Sequence, residues 1–480
     1  MPFTAEHSLR CRKDFPALIR KPEGLNLAYL DGPAGSQVPQ TVIDTLGDFY
    51  ATCNVNTRGY FWPSQEVDRR IAAAREALAA FFGAENASCI SFGQNMTTLN
   101  YALSAAIGHT LKPGDEVLIT QLDHEANRGP WLRLQERGMI VQEVRLLPTG
   151  VLDLDDMAAK ITARTKVFAL GASSNALGTV NDVRLARRLT HDVGALLVID
   201  AVHYAPHFSL DVKSLGMDFL LCSGYKFYGP HVGVLYSRPG ALDRLPTERL
   251  SVQDPAAPYR IETGTLNHAA IDALRAAVEY LGSWGQGSSM RERLVDAMTG
   301  IAAYEHGLAQ FYHDSVREMR GVQVWGPDFS QQSRAPTVSI TLDKASAAQA
   351  ATALGKEGIC VWDGDFYAAR TVQVLGLSNR GGCYEPGCRC TTRGKSFSGC
   401  WQGSPSSSSR TQQGGWRAAA RDWTTPPPRS HRGARRATSA PDKKGARSRD
   451  RSHPRRLQNP RCAVQVVTGL TTPTQRRAAK

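Results

Sequence analysis

Long apolar runs are missing from this 480-residue chain: no stretch approaches the roughly 18 uninterrupted apolar residues of a membrane span. The first residues, Met1-Pro2-Phe3-Thr4-Ala5-Glu6-His7, lack a basic segment followed by an apolar run, so no secretory leader is expected. Cysteine is sparse. Cys11, Cys53, Cys89, Cys222 and Cys360 are scattered through the first 380 residues and read as reduced thiols of a cytoplasmic protein, while the other five of the ten lie beyond residue 381. Acidic charge is almost absent from that last part. Residues 381–480 hold 21 Lys and Arg against 4 Asp and Glu, a net +17, so the whole-chain +13 leaves −4 for residues 1–380. The body is therefore mildly acidic and offers no basic face to nucleic acid, and a membrane partner is not expected either.

Apolar residues run out at the same place. Among residues 383–480 the only Leu, Ile, Val, Met or Phe are Phe397, Leu457, Val464, Val466, Val467 and Leu470. Such a segment buries too little apolar surface to offset its ordering entropy, so a disordered tail is the expectation. Its cysteines, Cys383, Cys388, Cys390 and Cys400, do not form the paired CxxC spacing of a zinc site. The basic run 429–456 lacks the interleaved aromatics of a nucleic-acid binder.

What is present before residue 381 is alternation. Glu66–Phe82, Met96–Ile107, Met157–Ile161 and Val183–His191 have helical character, with helical apolar spacing clearest in the first. Glu116–Thr120, Val141–Val144, Lys166–Leu170 and Ala195–Ile199 are short β-rich runs, followed by closely spaced strands at Phe219–Ser223 and Gly233–Tyr236. This pattern predicts an α/β fold with a mostly parallel sheet covered by helices. A helix over Ala269–Gly282 leads into a smaller α+β domain with strands at Thr337–Leu342 and Gly358–Val361. The expected domains are an N-terminal segment 1–24, a large domain 25–268, a small and incomplete domain 269–382, and the basic tail 383–480.

Two residues at strand ends suggest chemistry. Asp200 closes the buried run Val198-Ile199-Asp200, where open α/β sheets place their ligands, and Lys226 follows in Ser223-Gly224-Tyr225-Lys226-Phe227-Tyr228-Gly229-Pro230. A lysine that holds an aldehyde as an imine and a carboxylate that keeps a pyridine nitrogen protonated are what pyridoxal 5'-phosphate (PLP) requires. A lone Asp and Lys would more often be a cap and a surface charge; the surrounding segments decide.

Those segments, from about residue 25 to 380, resemble the cysteine desulfurase-like branch of the class V aminotransferase family, which has the PLP-dependent transferase fold type I. Asp123-His124-Glu125-Ala126-Asn127 with Pro130-Trp131 resembles the family's E-H-x-A-N-x-x-P-W, so the resemblance puts His124 against the cofactor ring. Ser174-Asn175-Ala176-Leu177-Gly178-Thr179 resembles S-N-x-x-G-T, which implies that Asn175 approaches the phenolic oxygen. His203 stands where the family has a glutamine bonding the same oxygen. The phosphate would be held at the strand-to-helix junction Phe92–Thr98, by the amides of Asn95 and Met96 and the Thr97 hydroxyl. Ser223 and Tyr225 flank the lysine as the family's Ser-x-His does, with Tyr replacing His. Glu262-Thr263-Gly264-Thr265-Leu266-Asn267 resembles E-x-G-T-x-N, in which Thr265 would reach the phosphate of a partner subunit, and Asn54–Gly59 resembles another segment shared across a homodimer. No single segment carries the resemblance; their order and spacing do. It implies a PLP enzyme acting on a small amino acid, with Lys226, Asp200 and His124 as its catalytic residues and no metal.

Two departures stand out. The family's nucleophilic cysteine falls within Val361-Trp362-Asp363-Gly364-Asp365-Phe366-Tyr367-Ala368, at Tyr367, and Cys360 on the preceding strand reads as a core residue. Transaminase, racemase or epimerase, and C–S lyase chemistry therefore remain open beside desulfuration, with Asp363 and Tyr367 on the substrate side. The family's strand with the carboxylate-binding arginine should follow Gly381-Gly382, yet Cys383-Tyr384-Glu385-Pro386 stands there. Read from the third base of the Cys383 codon, the degenerate codons permit L-R-A-G-L-S-L-Y-N-T, with only the leucine obligatory. Residues 383–480 are accordingly expected to be an out-of-frame translation. As written, the chain would be a catalytically impaired homologue.

Overall fold

The computed structural model of this protein describes residues 3–330, 333–378 and 383–385. The expectations for residues 386–480, with Cys388, Cys390, Cys400 and the basic run among them, lie outside the described residues. After a short strand β1 (Ala28–Tyr29), seven strands build the main sheet: β2 (Ile90–Gly93), β3 (Glu116–Thr120), β4 (Ile140–Val144), β5 (Thr165–Gly171), β6 (Leu196–Asp200), β7 (Phe219–Ser223) and β8 (Gly233–Ser237). Their order is β2-β8-β7-β6-β5-β3-β4. The five strands from β7 to β4 run parallel, and β8 is antiparallel to both its neighbours.

Why the central strands are apolar throughout follows from the two layers of helix that cover them. Side chains of a strand point alternately to opposite faces. Phe168, Leu170, Leu197, Ile199, Leu220 and Cys222 pack into one core. Their sequence neighbours Val167, Ala169, Val198, Phe219 and Leu221 pack into another on the opposite face. Both faces being dry, neither set can be polar.

The remaining strands, β9 (Val322–Trp325), β10 (Ser339–Leu342), β11 (Ile359–Cys360), β12 (Trp362–Gly364) and β13 (Cys383–Glu385), lie beyond the 28-residue helix Met290–Arg317. Four of them form a second, antiparallel sheet in the order β12-β13-β10-β9. β11 instead pairs in parallel with β1. The position expected for the arginine-bearing strand is thus a strand, β13, reading Cys383-Tyr384-Glu385.

For β3 to β8 the strand boundaries agree with the sequence reading to within a residue, while β2 was given no bounds there. The first long helix begins at Trp62 rather than Glu66, because Pro63 sits in its opening turn, where its missing N–H costs nothing; it ends at Gly83 with φ +67°. The expected strand 358–361 is reduced to two residues, because the chain leaves β1 at Val361 to join the second sheet. Among the described residues no helix is long and apolar enough to cross a membrane.

Candidate functional site

The strands β2, β3, β5, β6 and β7 all end at the same edge of the main sheet, and the chain leaving each supplies part of one site. Asp200, the last residue of β6, is buried, and its Oδ1 accepts the Val202 amide at 2.9 Å. Burial pushes its carboxyl up to about 7; the buried Asp123 adds to the rise, while that amide and the Lys226 ammonium oppose it. Asp123 is itself pushed up to about 6 by burial, although the Gly171 and Thr120 amides donate to it at 2.7 and 3.2 Å. Two buried carboxyls that resist ionisation therefore floor the site.

Lys226 ends a short 3-10 turn directly after β7 and is also buried. Its ammonium donates to the Pro33 carbonyl and stands 5.3 Å from the centroid of the Tyr225 ring. Pro33 belongs to a loop clasped to the lysine turn. Ser36 donates to the Tyr225 carbonyl through its amide at 3.0 Å and its hydroxyl at 2.9 Å, and accepts the Tyr228 amide at 2.7 Å. The run Asp31-Gly32-Pro33-Ala34-Gly35-Ser36 was not singled out in the sequence, because nothing local connects it to a lysine 190 positions beyond Ser36.

His124 caps the helix Glu125–Leu132, its Nδ1 accepting the Ala126 amide at 2.9 Å. Burial, aided by the nearby Lys226 charge, holds its pKa down to about 4, so the ring is neutral at pH 7 with its proton on Nε2. It stacks on Tyr367 with ring centroids 5.7 Å apart and an interplanar angle of 28°. Asn175 donates from Nδ2 to the Phe366 carbonyl at 2.8 Å, and its buried Oδ1 has no partner among the described residues. His203 places Nε2 3.0 Å from the Thr337 hydroxyl. The roles of Phe366 and Thr337 were not foreseen, since both come from the far end of the chain.

The helix Met96–Gly108 starts beside this group. Asn95 caps it, its side chain accepting the Thr98 amide at 2.9 Å, and the Met96 amide donates to the Ser223 hydroxyl at 2.9 Å. Thr97 is half-buried at the second helical position, and neither its amide nor its hydroxyl bonds any described residue. Gly233 at the start of β8 is so close to Asn95 that a Cβ there would collide with its backbone. Tyr225 stacks on His231 at 4.7 Å and 12°. Of the expected residues only Thr265 stands apart: it is exposed in the loop before the helix His268–Gly282. That loop is anchored through Glu262, which accepts Arg75 in two bonds of 2.8 Å and the Phe92 amide at 2.7 Å.

These groups fit a flat, phosphorylated pyridine. A helix N-terminus with an unengaged amide and hydroxyl suits its phosphate. A buried carboxyl short of positive charge suits a protonated ring nitrogen, and the unsatisfied Asn175 amide oxygen marks a polar pocket beside it. The cavity of about 420 Å³ lined by Tyr29, Asp31, Ser36, Tyr225 and His231 borders the lysine turn but does not reach Asp200.

Among the described residues no cysteine stands in the Tyr367 loop, and Cys222, buried on β7 near Asp200, has its thiol pushed up by burial. Tyr367 is 70% exposed, and both it and Phe366 adopt left-handed backbone, φ +57° and +56°. The loop is fastened, since the Glu125 amide donates to the Tyr367 carbonyl at 2.7 Å. Cys360 is half-buried on β11 rather than fully in the core, and burial raises its pKa.

Residues 28–389 match the family model for class V aminotransferases. A cysteine desulfurase of Serratia proteamaculans is 33% identical over 373 residues, 74% of this chain and 87% of that protein. A probable cysteine desulfurase of Streptomyces coelicolor is 32% identical over 402 residues, 80% and 90% of the two chains. The crystal structure of a cysteine desulfurase from Escherichia coli superposes with a TM-score of 0.72 at 25% identity, covering 82% of this chain and 97% of that one.

Proposed function

The chain belongs to the class V aminotransferase family as a PLP-dependent enzyme of the cysteine desulfurase type, and on that premise we propose that Lys226 anchors PLP and serves its chemistry on a small amino acid. The observation that carries this is the burial of Asp200 and Lys226 together at one sheet edge, 8% exposed each, beside the neutral His124.

When bound, PLP supplies an electron sink for the carbanion that develops at the substrate's α-carbon. Asp200 would face the ring nitrogen and keep its proton in place. His124 would pack on the ring, and Asn175 and His203 would orient its phenolic oxygen. The Asn95 and Met96 amides, the Thr97 and Ser223 hydroxyls and Tyr225 would hold the phosphate, the Met96 amide turning to it from Ser223, with Thr265 of a second copy completing the set. Lys226 Nζ would hold the cofactor's aldehyde and would be the base placed to move the proton at the substrate's α-carbon. Because Tyr367 stands at the position of the family's nucleophile, the sulfur of a cysteine substrate would pass to an external thiol, which becomes a persulfide while the carbon keeps the C–S electron pair and leaves as alanine. Aminotransferase, racemase or epimerase, and C–S lyase outcomes share every one of these groups, and a substrate screen scoring alanine, sulfide and keto acid separately distinguishes them.

Two coarser assignments accompany this reading. Free cysteines in the described body suit the cytoplasm. The exposed apolar residues Tyr50, Tyr60, Trp62 and Val252 suit an interface with a second copy. The test of the central reading is spectroscopic: added PLP should give an absorbance band at the visible edge, lost in Lys226→Ala. A wild-type protein without that band would refute it.

A further inference from the structure

Behind His203 lies a set of buried polar side chains that the chemistry above does not use. His207 Nδ1 is 2.6 Å from Glu305 Oε2, at the short end of charge-assisted bonds, and both side chains are about 1–2% exposed. The His207 ring meets His203 edge to face, with centroids 5.2 Å apart and planes at 69°. On its other side His203 is held through Nε2 by the Thr337 hydroxyl, also fully buried. These four residues come from three places: the turn after β6, the long helix Met290–Arg317 and the segment entering β10.

A carboxylate is costly to bury and is retained where it fixes something. Glu305 lies in the buried stripe of its helix, between Ile301 and Ala309. The segment that carries Thr337 also grips the Asn175 loop: the Ser339 hydroxyl donates to the Ala176 carbonyl, and the Ala335 amide to the Gly178 carbonyl at 2.8 Å. The segment entering β10 thus bonds both the His203 side chain and the backbone of the Asn175 loop. We propose that Glu305, acting through His207, is a positioning residue for His203, clamping its imidazole between His207 and Thr337 so that it meets the cofactor in one orientation. This rests on the reading of His203 as a cofactor contact.

Three full-length variants test it, each titrated with PLP by absorbance while the apoprotein is melted in parallel. Glu305→Gln keeps the volume and an acceptor for His207 but removes the charge. Thr337→Val removes the hydroxyl, and His203→Ala removes the contact itself. All three should release PLP about tenfold more readily, the size expected when one hydrogen bond to a cofactor is lost. Glu305→Gln and Thr337→Val should also shift the bound-cofactor spectrum in the same direction, with melting unchanged. Wild-type retention and spectrum in both, alongside a weakened His203→Ala, would overturn the inference and leave the reading of His203 standing. A Glu305→Gln defect matched by a fall in melting temperature would mark a structural staple only, and also overturns it. Should Glu305→Gln fail to fold, Thr337→Val alone decides. Retention unchanged in His203→Ala would remove the reading and the inference together.

Discussion

Asp200 is where stability and function oppose each other most directly. Its folded pKa of about 7 lies above the usual 3.8, so the protonated form is favoured by folding. The stability this confers is complete below pH 4 and is lost as pH rises towards 7. Asp123, raised to about 6, acts in the same sense. Asp200→Asn should therefore stabilise the apoprotein at pH 8 by about 2 kcal/mol in urea unfolding, discounting the full shift for relaxation around the buried group, with no gain at pH 4. The same variant should hold PLP poorly. An apoprotein no more stable at pH 8 than wild type would show that the carboxyl is solvated. Asp200 and Lys226 stood out in the sequence by their places at strand ends, and His124 through the family resemblance of its segment. Glu305 and Thr337 did not, because only tertiary folding brings Glu305 against His207, 98 positions away, and Thr337 against His203, 134 positions away.

Among the elements, the helix Met96–Gly108 carries the phosphate end of the site on its cap. Asn95→Ala removes the acceptor for the Thr98 amide and should cost about 1 kcal/mol in urea unfolding. It should also weaken PLP retention, since the first turn frays. Stability lost with retention intact would place the phosphate elsewhere. This helix and the sheet strands were readable from periodicity. The long helix Met290–Arg317 was not: its buried stripe contains Glu305 and His313, which break the apolar pattern that would have announced it. β11 was expected as the strand 358–361, whereas β12, three residues long and in the other sheet, was hidden.

For the whole molecule, the chain leaves the main sheet at β8 and enters the antiparallel one at β9. Tyr60, fully exposed, and Val252, 89% exposed, are poorly placed on a monomer surface. Light scattering on the eluting protein should give the mass of two copies, and Tyr60→Glu with Trp62→Glu should give one; a monomeric wild type would remove Thr265 from the phosphate site. The family match extends to residue 389, past the point where the apolar pattern fails. Sequencing the transcript across codons 378–395 should restore an arginine-bearing strand at β13, and a tail peptide found by mass spectrometry in the printed frame would contradict that.

The central claim, that PLP is carried on Lys226, is tested most directly by chemical fixation. The protein is loaded with PLP, reduced with borohydride to make the lysine link permanent, digested and mapped by mass spectrometry. The pyridoxyl group should be found on the peptide containing Lys226. Its recovery on another lysine, or on none, would contradict the assignment.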